Sequence, residues 1–428
     1  MRFHLVTLFP EFFASPLATG LMGRAREAGV VEVSFHDPRA FSTDKHHHVD
    51  DRPYGGGPGM VLQPGPVAAA VREIATPGRI LFLTPAGRPF TQALARECAR
   101  EADLTLICGR YEGLDARLAA ILPLTPVCVG DAVLNGGETA ALAVMEAVGR
   151  LVPGFMGKEA SGEDESFSAG VLEYPHYTRP EVFEGLEVPA VLRNGDHAAI
   201  AAWRRREALA ATLRQRPELL DEAPLDRADA AALAALPRER PGRNLSFCLL
   251  HYPVLLEERK CGASSLTNLD VHDIARISRS YGMGPFYVVT PLEDQLRLLG
   301  AILRHWGARG PLRRDRSRAL SLVRGVPTLT EAIAEATARA GTAPRLVATS
   351  AAWPEKKRDA PPLTPAKVRG WCREGPVLLL LGTARGLAPQ VTALCDGRMR
   401  PLRFLGDNHL SVRSAAAILA DRILGDFC

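Results

Sequence analysis

No apolar stretch of this 428-residue chain approaches the roughly 20 residues that a membrane-spanning helix requires, so no membrane partner is expected. Cysteine is sparse and scattered. None of the eight forms a C-x-x-C pair, which argues against a zinc site or a disulfide framework and fits a reducing cytoplasm. The first residues, "MRFHLVTLFPEFF", hold one basic side chain, a short apolar run broken by Pro10 and no small-residue cleavage site. They read as a first β-strand rather than a signal peptide. Also missing at the strand ends are G-x-G-x-x-G and G-x-x-x-x-G-K-[ST], which disfavours a dinucleotide-dependent oxidoreductase or a P-loop enzyme.

What is present is an ordinary globular composition, 46% hydrophobic with a net charge of only +4, long enough for two or three domains. The basic residues are clustered, in "WRRREAL" (203–209), "PRERPGR" (237–243) and "RRDRSR" (313–318). Such runs are either solvated faces or nucleic-acid footprints.

Short apolar runs alternate with helical patterns: "ILFLT" (80–84), "LTLICG" (104–109), "PVCVG" (126–130), then a helix from Glu138 to Val148. That alternation predicts a parallel α/β sheet. From about residue 196 the pattern is helical without strands and fades into a Pro/Arg-rich linker at 237–243. The α/β pattern restarts after Asn244.

The second α/β stretch reads as a diverged copy of the first. "LTLICGRYEGL" (104–114) parallels "VLLLLGTARGL" (377–387), and "VGDAVLNGGETAALA" (129–143) parallels "LGDNHLSVRSAAAIL" (405–419). "LFLTPAGR" (81–88) sits where "LVATSAAW" (346–353) sits. In each copy three strand-end loops are therefore expected to converge on a ligand crevice, at Thr84/Thr349, Gly109/Gly382 and Gly130/Gly406. A further stretch, "DDRPYGGGPGM" (50–60), is either a surface turn or a backbone that must approach a ligand closely.

Together, "DDRPYGGGPGM", "CGRYEGLD", "VGDAVLNGGE" and "YPHYTRPEVFEGLEVPAVLRNGDH" make residues 1–235 resemble bacterial tRNA (guanine-N1)-methyltransferase. The resemblance implies the SPOUT fold, a parallel α/β sheet with a deep C-terminal trefoil knot that the periodicity does not reveal. It also implies a homodimer that binds S-adenosylmethionine in the knot and methylates N1 of the guanine just 3′ to the tRNA anticodon. Residues 244–428 resemble a family of predicted SPOUT RNA methyltransferases through "TNLDVHDIARISRSYG" (267–282), "HWGARG" (305–310), "LLGTARGL" and "NHLSVRSAAAI". The expected architecture is thus α/β: a SPOUT S-adenosylmethionine-binding domain at 1–160, a linker and helical tRNA-binding domain at 161–236, a Pro/Arg linker at 237–243 and a second SPOUT domain at 244–428.

The N1 reaction requires a general base, because neutral guanine is protonated at N1, and a cation or strong donor where charge develops on O6. The base must also leave its stack. The resemblance places the general base in an Asp before Ser-Phe. Here "KEASGEDESFSAG" offers Glu165 at that point, or its neighbour Asp164. Arg150 matches the arginine that stabilises O6 charge, although an arginine ending a helix also answers the macrodipole. Positions matched to the methyl donor are Leu83, Thr84 and Pro85; Gly109, Arg110, Tyr111, Glu112 and Gly113; and Val129, Gly130, Asp131, Ala132, Val133, Leu134, Gly136 and Gly137. Ala132 departs from an expected Tyr. Bound Mg²⁺ is a further implication of the resemblance, without any metal-ligand spacing to show it. The adjacent histidines of "DKHHHVD" point in different directions and do not suggest a chelating cluster.

In that reading residues 50–60 close over donor and guanine, with Arg52 and Tyr54 facing RNA, and Arg179, Arg204 and Arg205 contact tRNA phosphate. In the second copy Thr349, Gly382, Gly386, Leu405, Gly406 and Leu410 occupy the equivalent donor positions, and Asn408, Ser411 and Arg413 line the same turn. No carboxylate there matches Glu165. The second half is therefore expected to be an RNA methyltransferase of different chemistry, ribose 2′-O methylation for example, or else a silent RNA-binding or dimerisation module.

Overall fold

A computed structural model of the protein describes residues 1–156, 165–236, 240–257, 260–307, 314–351, 362–403 and 410–425. It divides into two compact units, Met1–Leu233 and Ala234–Cys428.

In the first unit the strands are β1 (Arg2–Val6), β2 (Glu32–His36), β3 (Asp50–Asp51), β4 (Val61–Leu62), β5 (Arg79–Pro89), β6 (Asp103–Cys108), β7 (Leu124–Cys128), β8 (Val182–Phe183) and β9 (Leu186–Glu187). The helices are α1 (Ala14–Ala18), α2 (Gly20–Glu27), α3 (Pro64–Arg72), α4 (Gln92–Cys98), α5 (Leu118–Ile121), α6 (Glu138–Gly149), α7 (His197–Gln215) and α8 (Arg227–Ala235). Five strands form a sheet of order β2-β1-β6-β5-β7, every pair parallel. Parallel strands are covered on both faces, so they read as continuous apolar runs rather than alternating ones. The period of two is nonetheless visible. Phe3 and Leu5 with Leu104 and Leu106 enter one core, against Val144 and Met145 of α6. Val6 and Ile107 enter the opposite core, against Val67 and Val71 of α3.

The second unit contains β10 (Leu245–Leu250), β11 (Val254–Leu255), β12 (Cys261–Gly262), β13 (Phe286–Val289), β14 (Val323–Val326), β15 (Arg345–Ala348), β16 (Pro362–Leu363), β17 (Val377–Gly382) and β18 (Gly397–Met399). Its helices are α9 (Asn268–Ser280), α10 (Glu293–Gly307), α11 (Arg314–Leu320), α12 (Leu329–Ala340), α13 (Pro365–Glu374), α14 (Pro389–Thr392) and α15 (Val412–Leu424). The sheet order is β14-β13-β10-β17-β15-β18-β16, again parallel throughout. Its inner five strands repeat the first sheet: β13, β10, β17, β15 and β18 stand where β2, β1, β6, β5 and β7 stand. The internal repeat read from three sequence landmarks is therefore a repeat of topology.

One strand departs from expectation. "ILFLT" was expected to end at Thr84, but β5 runs on to Pro89. Both Leu83 and Arg88 pair with Val127 of β7, so residues 84–87 are an excursion between two contacts with the same neighbour. Gly87 permits the return: a Cβ there would lie 2.3 Å from the Val127 nitrogen.

Candidate active site

Three chain segments meet at the C-terminal edge of the first sheet. The loop after β6 is held to the turn before α6 by Gly137 N–H donating to the Gly109 carbonyl at 2.8 Å. Added Cβ atoms show how close the backbones run. At Gly137 one would lie 2.6 Å from the Cys108 Cα, and at Gly109 3.3 Å from the Leu83 carbonyl oxygen. Leu83, Gly109 and Gly137, expected in three separate donor loops, are thus brought together.

A buried charge ties these loops to the end of β1. Glu138, in the first turn of α6, is 1% exposed. It accepts hydrogen bonds from the Thr7 hydroxyl at 2.9 Å and the Arg110 Nε at 3.2 Å. Its second oxygen lies 2.9 Å from Arg110 Nη2 without a well-directed N–H. The same guanidinium donates to the Asn135 carbonyl at 3.3 Å and stacks 4.3 Å from the Phe9 ring centroid. A Cβ at Gly136 would strike Arg110 Nε at 2.4 Å, so glycine is required for this packing. Thr7, Phe9 and Glu138 were not among the expected site residues. The available signal was a carboxylate opening a mostly apolar helix directly after a glycine pair.

The glycine-rich stretch packs against the same loop. Leu62 N–H donates to the Gly113 carbonyl and Glu112 N–H to the Met60 carbonyl, both at 2.9 Å. Gly55, Gly56, Gly57 and Gly59 all have left-handed φ, from 78° to 129°, a region that side chains disfavour. At Gly59 there is a second reason, since a Cβ would overlap the Glu112 side chain at 2.2 Å. Arg52 is exposed and Tyr54 is fully exposed. Beside this loop, hydrogen bonds from Arg117 hold the Asp115 carboxyl down at about 2.

Around the mouth, Pro85, Val129, Gly130, Asp131, Ala132, Val133 and Leu134 are exposed, as are Tyr111 and Glu112. Arg150, which caps the C-terminus of α6, forms an ion pair with Glu165. The two residues expected to act on guanine are therefore adjacent, each only partly covered. Asp164 lies outside the described residues. Further along, Arg179 is exposed and the Arg204 guanidinium sits 4.8 Å from the Tyr174 ring centroid. Arg205, expected at tRNA phosphate, has a carboxylate partner within the chain. It holds Asp229 through two hydrogen bonds of 3.0 and 2.6 Å, tying α7 to α8.

Among the described residues no group of three His, Cys, Asp or Glu side chains could hold a metal ion. Glu138 and Glu165 are each engaged by arginine.

The second copy repeats the glycine loop with altered side chains. A Cβ at Gly382 would lie 2.5 Å from the Leu387 nitrogen, and Gly386 has a φ of 103°. Leu255 N–H donates to the Gly386 carbonyl and Arg385 N–H to the Leu255 carbonyl, each at 2.9 Å. Met60–Leu62 clasp Glu112–Gly113 through two such bonds as well, but there the clasping segment runs parallel to the loop, at the Leu62–Leu114 bridge, and here antiparallel, at Val254–Leu387. Thr349 is close by, its hydroxyl donating to the Leu380 carbonyl at 2.8 Å. Leu410 is exposed, Ser411 caps α15 and Arg413 pairs with Asp270 at 3.2 Å. Leu405, Gly406 and Asn408 lie outside the described residues.

Residues 1–222 match the family model described as tRNA (Guanine-1)-methyltransferase TrmD, and residues 244–425 match the one described as SAM-dependent RNA methyltransferase. The tRNA (guanine-N(1)-)-methyltransferase of Oleidesulfovibrio alaskensis is 61% identical over the full length of both chains. That of Nitratidesulfovibrio vulgaris is 59% identical, also over full length. The Frankia alni protein of the same name is 52% identical over 244 residues, 56% of this chain and 92% of its own. Parallel sheets with glycine loops at their C-terminal edge, matched in both halves, define an S-adenosylmethionine-dependent methyltransferase. More narrowly, the chain belongs to the tRNA (guanine-N1)-methyltransferase family. The match of residues 244–425 to a methyltransferase model does not favour a silent module in that half. No helix among the described residues is long and apolar enough to cross a membrane.

Proposed function

We propose that residues 1–236 methylate N1 of the guanosine just 3′ to the anticodon of tRNA, and that residues 244–428 form a second RNA methyltransferase with a target of its own. The observation that carries the first assignment is the Arg150–Glu165 pair, on the helix whose other end packs against the glycine loops. S-adenosylmethionine supplies a methyl group made electrophilic by its sulfonium. The chain must then supply a base at N1 and a cation at O6. Glu165 accepts the N1 proton and Arg150 donates to O6 as charge gathers there. The donor lies against Leu83–Pro85, Gly109–Gly113 and Val129–Leu134 with Gly136 and Gly137, where Gly113 and Gly130 face open space that suits a flat ligand. Arg52, Tyr54, Arg179 and Arg204 face the anticodon arm.

The trefoil knot fits the way Met60–Leu62 and Asn135–Gly137 both contact the 109–113 loop. A homodimer fits the apolar rim of Tyr111, Val129, Leu134 and Val133, the last 87% exposed.

The test is transfer from labelled S-adenosylmethionine to two unmodified tRNAs, one with guanosine and one with adenosine 3′ to the anticodon. 1-Methylguanosine is expected on the first alone. Loss of a general base costs about 10²–10⁴-fold in rate, which is the expected deficit of Glu165→Gln. Full activity in that variant would transfer the role to Asp164, and absence of product with the wild type would reject the assignment.

A further inference from the structure

The two glycine loops share a left-handed turn, at Tyr111 and Gly113 in the first and Ala384 and Gly386 in the second, yet carry opposite charge at one position within it. Tyr111 and Ala384 hold the same left-handed conformation, φ 55° and 51°, which is strained in a non-glycine residue. The next residue is Glu112 in the first copy and Arg385 in the second. Each donates its N–H to the strand that clasps the loop, Glu112 to Met60 and Arg385 to Leu255. In the first copy Gly59 closes tightly onto the Glu112 carboxylate. In the second, Leu256, Glu257 and Lys260, between β11 and β12, form with Ala384 and Arg385 an open cleft of about 690 Å³. Arg385 is exposed, and no ion pair joins it to Glu257 or to any other described carboxylate.

We infer that this cleft is where the second copy receives its RNA, and that Arg385 grips a phosphodiester there. The inference rests on the reading of residues 244–425 as an RNA methyltransferase. A carboxylate at the loop apex can only accept hydrogen bonds, so it suits the N–H donors of a base edge. A guanidinium can only donate, and its planar fork matches the paired oxygens of a phosphate. The reversal at one backbone position changes what the second copy recognises while the methyl-donor loop keeps its shape. Lys260 adds charge of the same sign at the cleft wall, and Glu257 is the one opposing group among the described residues that line it.

The experiment uses the full chain and a random-sequence single-stranded RNA pool containing 4-thiouridine, photocrosslinked and mapped by peptide mass spectrometry. Crosslinks are expected in 254–262 and 383–388 with the wild type, and are lost there in Arg385→Glu. Crosslinks within 1–222, and 1-methylguanosine formation, stay unchanged in that variant. In a salt titration, Arg385→Ala lowers the slope of log affinity against log salt by about 0.7, the value for one phosphate of single-stranded RNA, and Arg385→Lys retains it. Crosslinks elsewhere in 244–425 that persist in Arg385→Glu would overturn the cleft assignment alone. Weaker S-adenosylmethionine binding with unchanged crosslinks would also overturn it, giving Arg385 to the donor instead. Absence of any crosslink in 244–425 would remove the RNA-methyltransferase reading and this inference with it.

Discussion

Glu138 and Arg110 form an ion pair at 2.9 Å in which the carboxylate is 1% exposed and the guanidinium about a fifth exposed. The pair spans two donor loops, and through Thr7 it reaches the end of β1. Removing one partner of a fully buried pair costs about 3–5 kcal/mol because the other charge is left uncompensated. Arg110 keeps some solvent, so Glu138→Gln is expected at the lower end. The measurable outcome is a lowered melting temperature together with a raised dissociation constant for S-adenosylmethionine. Unchanged donor affinity would mean that the pair supports the fold without shaping the loops.

Gly137→Ala and Gly382→Ala separate the two donor sites. At either position the new Cβ meets backbone within 2.6 Å, and backbone cannot rotate away as a flexible side chain can. Forcing an atom into such a site costs about 1–3 kcal/mol, enough to lower donor affinity by about tenfold. Calorimetry is expected to resolve two S-adenosylmethionine sites in the wild-type chain, a different one of which weakens about tenfold in each variant. A single site in the wild type, unaltered by Gly382→Ala, would show that the second glycine loop does not bind the donor.

The sheets and their repetition were legible because buried parallel strands write themselves as uninterrupted apolar runs, and because Gly109 and Gly382 mark equivalent strand ends. The Arg150–Glu165 partnership came through a resemblance, since the intervening sequence carries no periodic signal. The Glu138 anchor was hidden for a different reason. Its partners Thr7 and Arg110 lie 131 and 28 residues away, and only the fold makes them neighbours. The Arg205–Asp229 pair was hidden too, because a basic run does not say which of its members faces a carboxylate.

His251 predicts a pH dependence in the second unit. It is fully buried at the end of β10, and its Nδ1 lies 3.0 Å from the Ser264 hydroxyl, which contacts the Thr383 hydroxyl at 2.5 Å. Burial pushes its pKa below 6.5, opposed weakly by Asp270. With a folded pKa below the unfolded one, the unfolded chain binds the extra proton. Stability is then complete above pH 6.5 and is lost as pH falls below it, by up to about 1.4 kcal/mol per pH unit. If both registers are continued, Phe9 falls beside Arg110 as His251 falls beside Thr383, the matching position of the second copy, so His251→Phe is a natural replacement. Urea unfolding followed by tryptophan fluorescence, which Trp306, Trp353 and Trp371 direct to this half, is expected to show a flatter acid limb in the variant. An identical limb would assign the dependence to another group, such as His272, whose pKa burial also lowers.

Arg204 and Arg205 are adjacent in sequence and are expected to fail differently. Arg205→Ala leaves the buried Asp229 carboxylate without its bidentate partner, a loss of about 1–3 kcal/mol, so the melting temperature falls. Arg204 stacks on Tyr174 and holds no carboxylate among the described residues. Its replacement by Ala is expected to leave the melting temperature nearly unchanged. It instead reduces the salt dependence of tRNA binding by about one phosphate contact, 0.7–0.9 in log–log slope. Thermal unfolding and a salt titration on both variants decide the matter. If Arg205→Ala melted normally and lost the slope, the Asp229 pair would be giving way to phosphate when tRNA binds, and the original sequence expectation for Arg205 would hold after all.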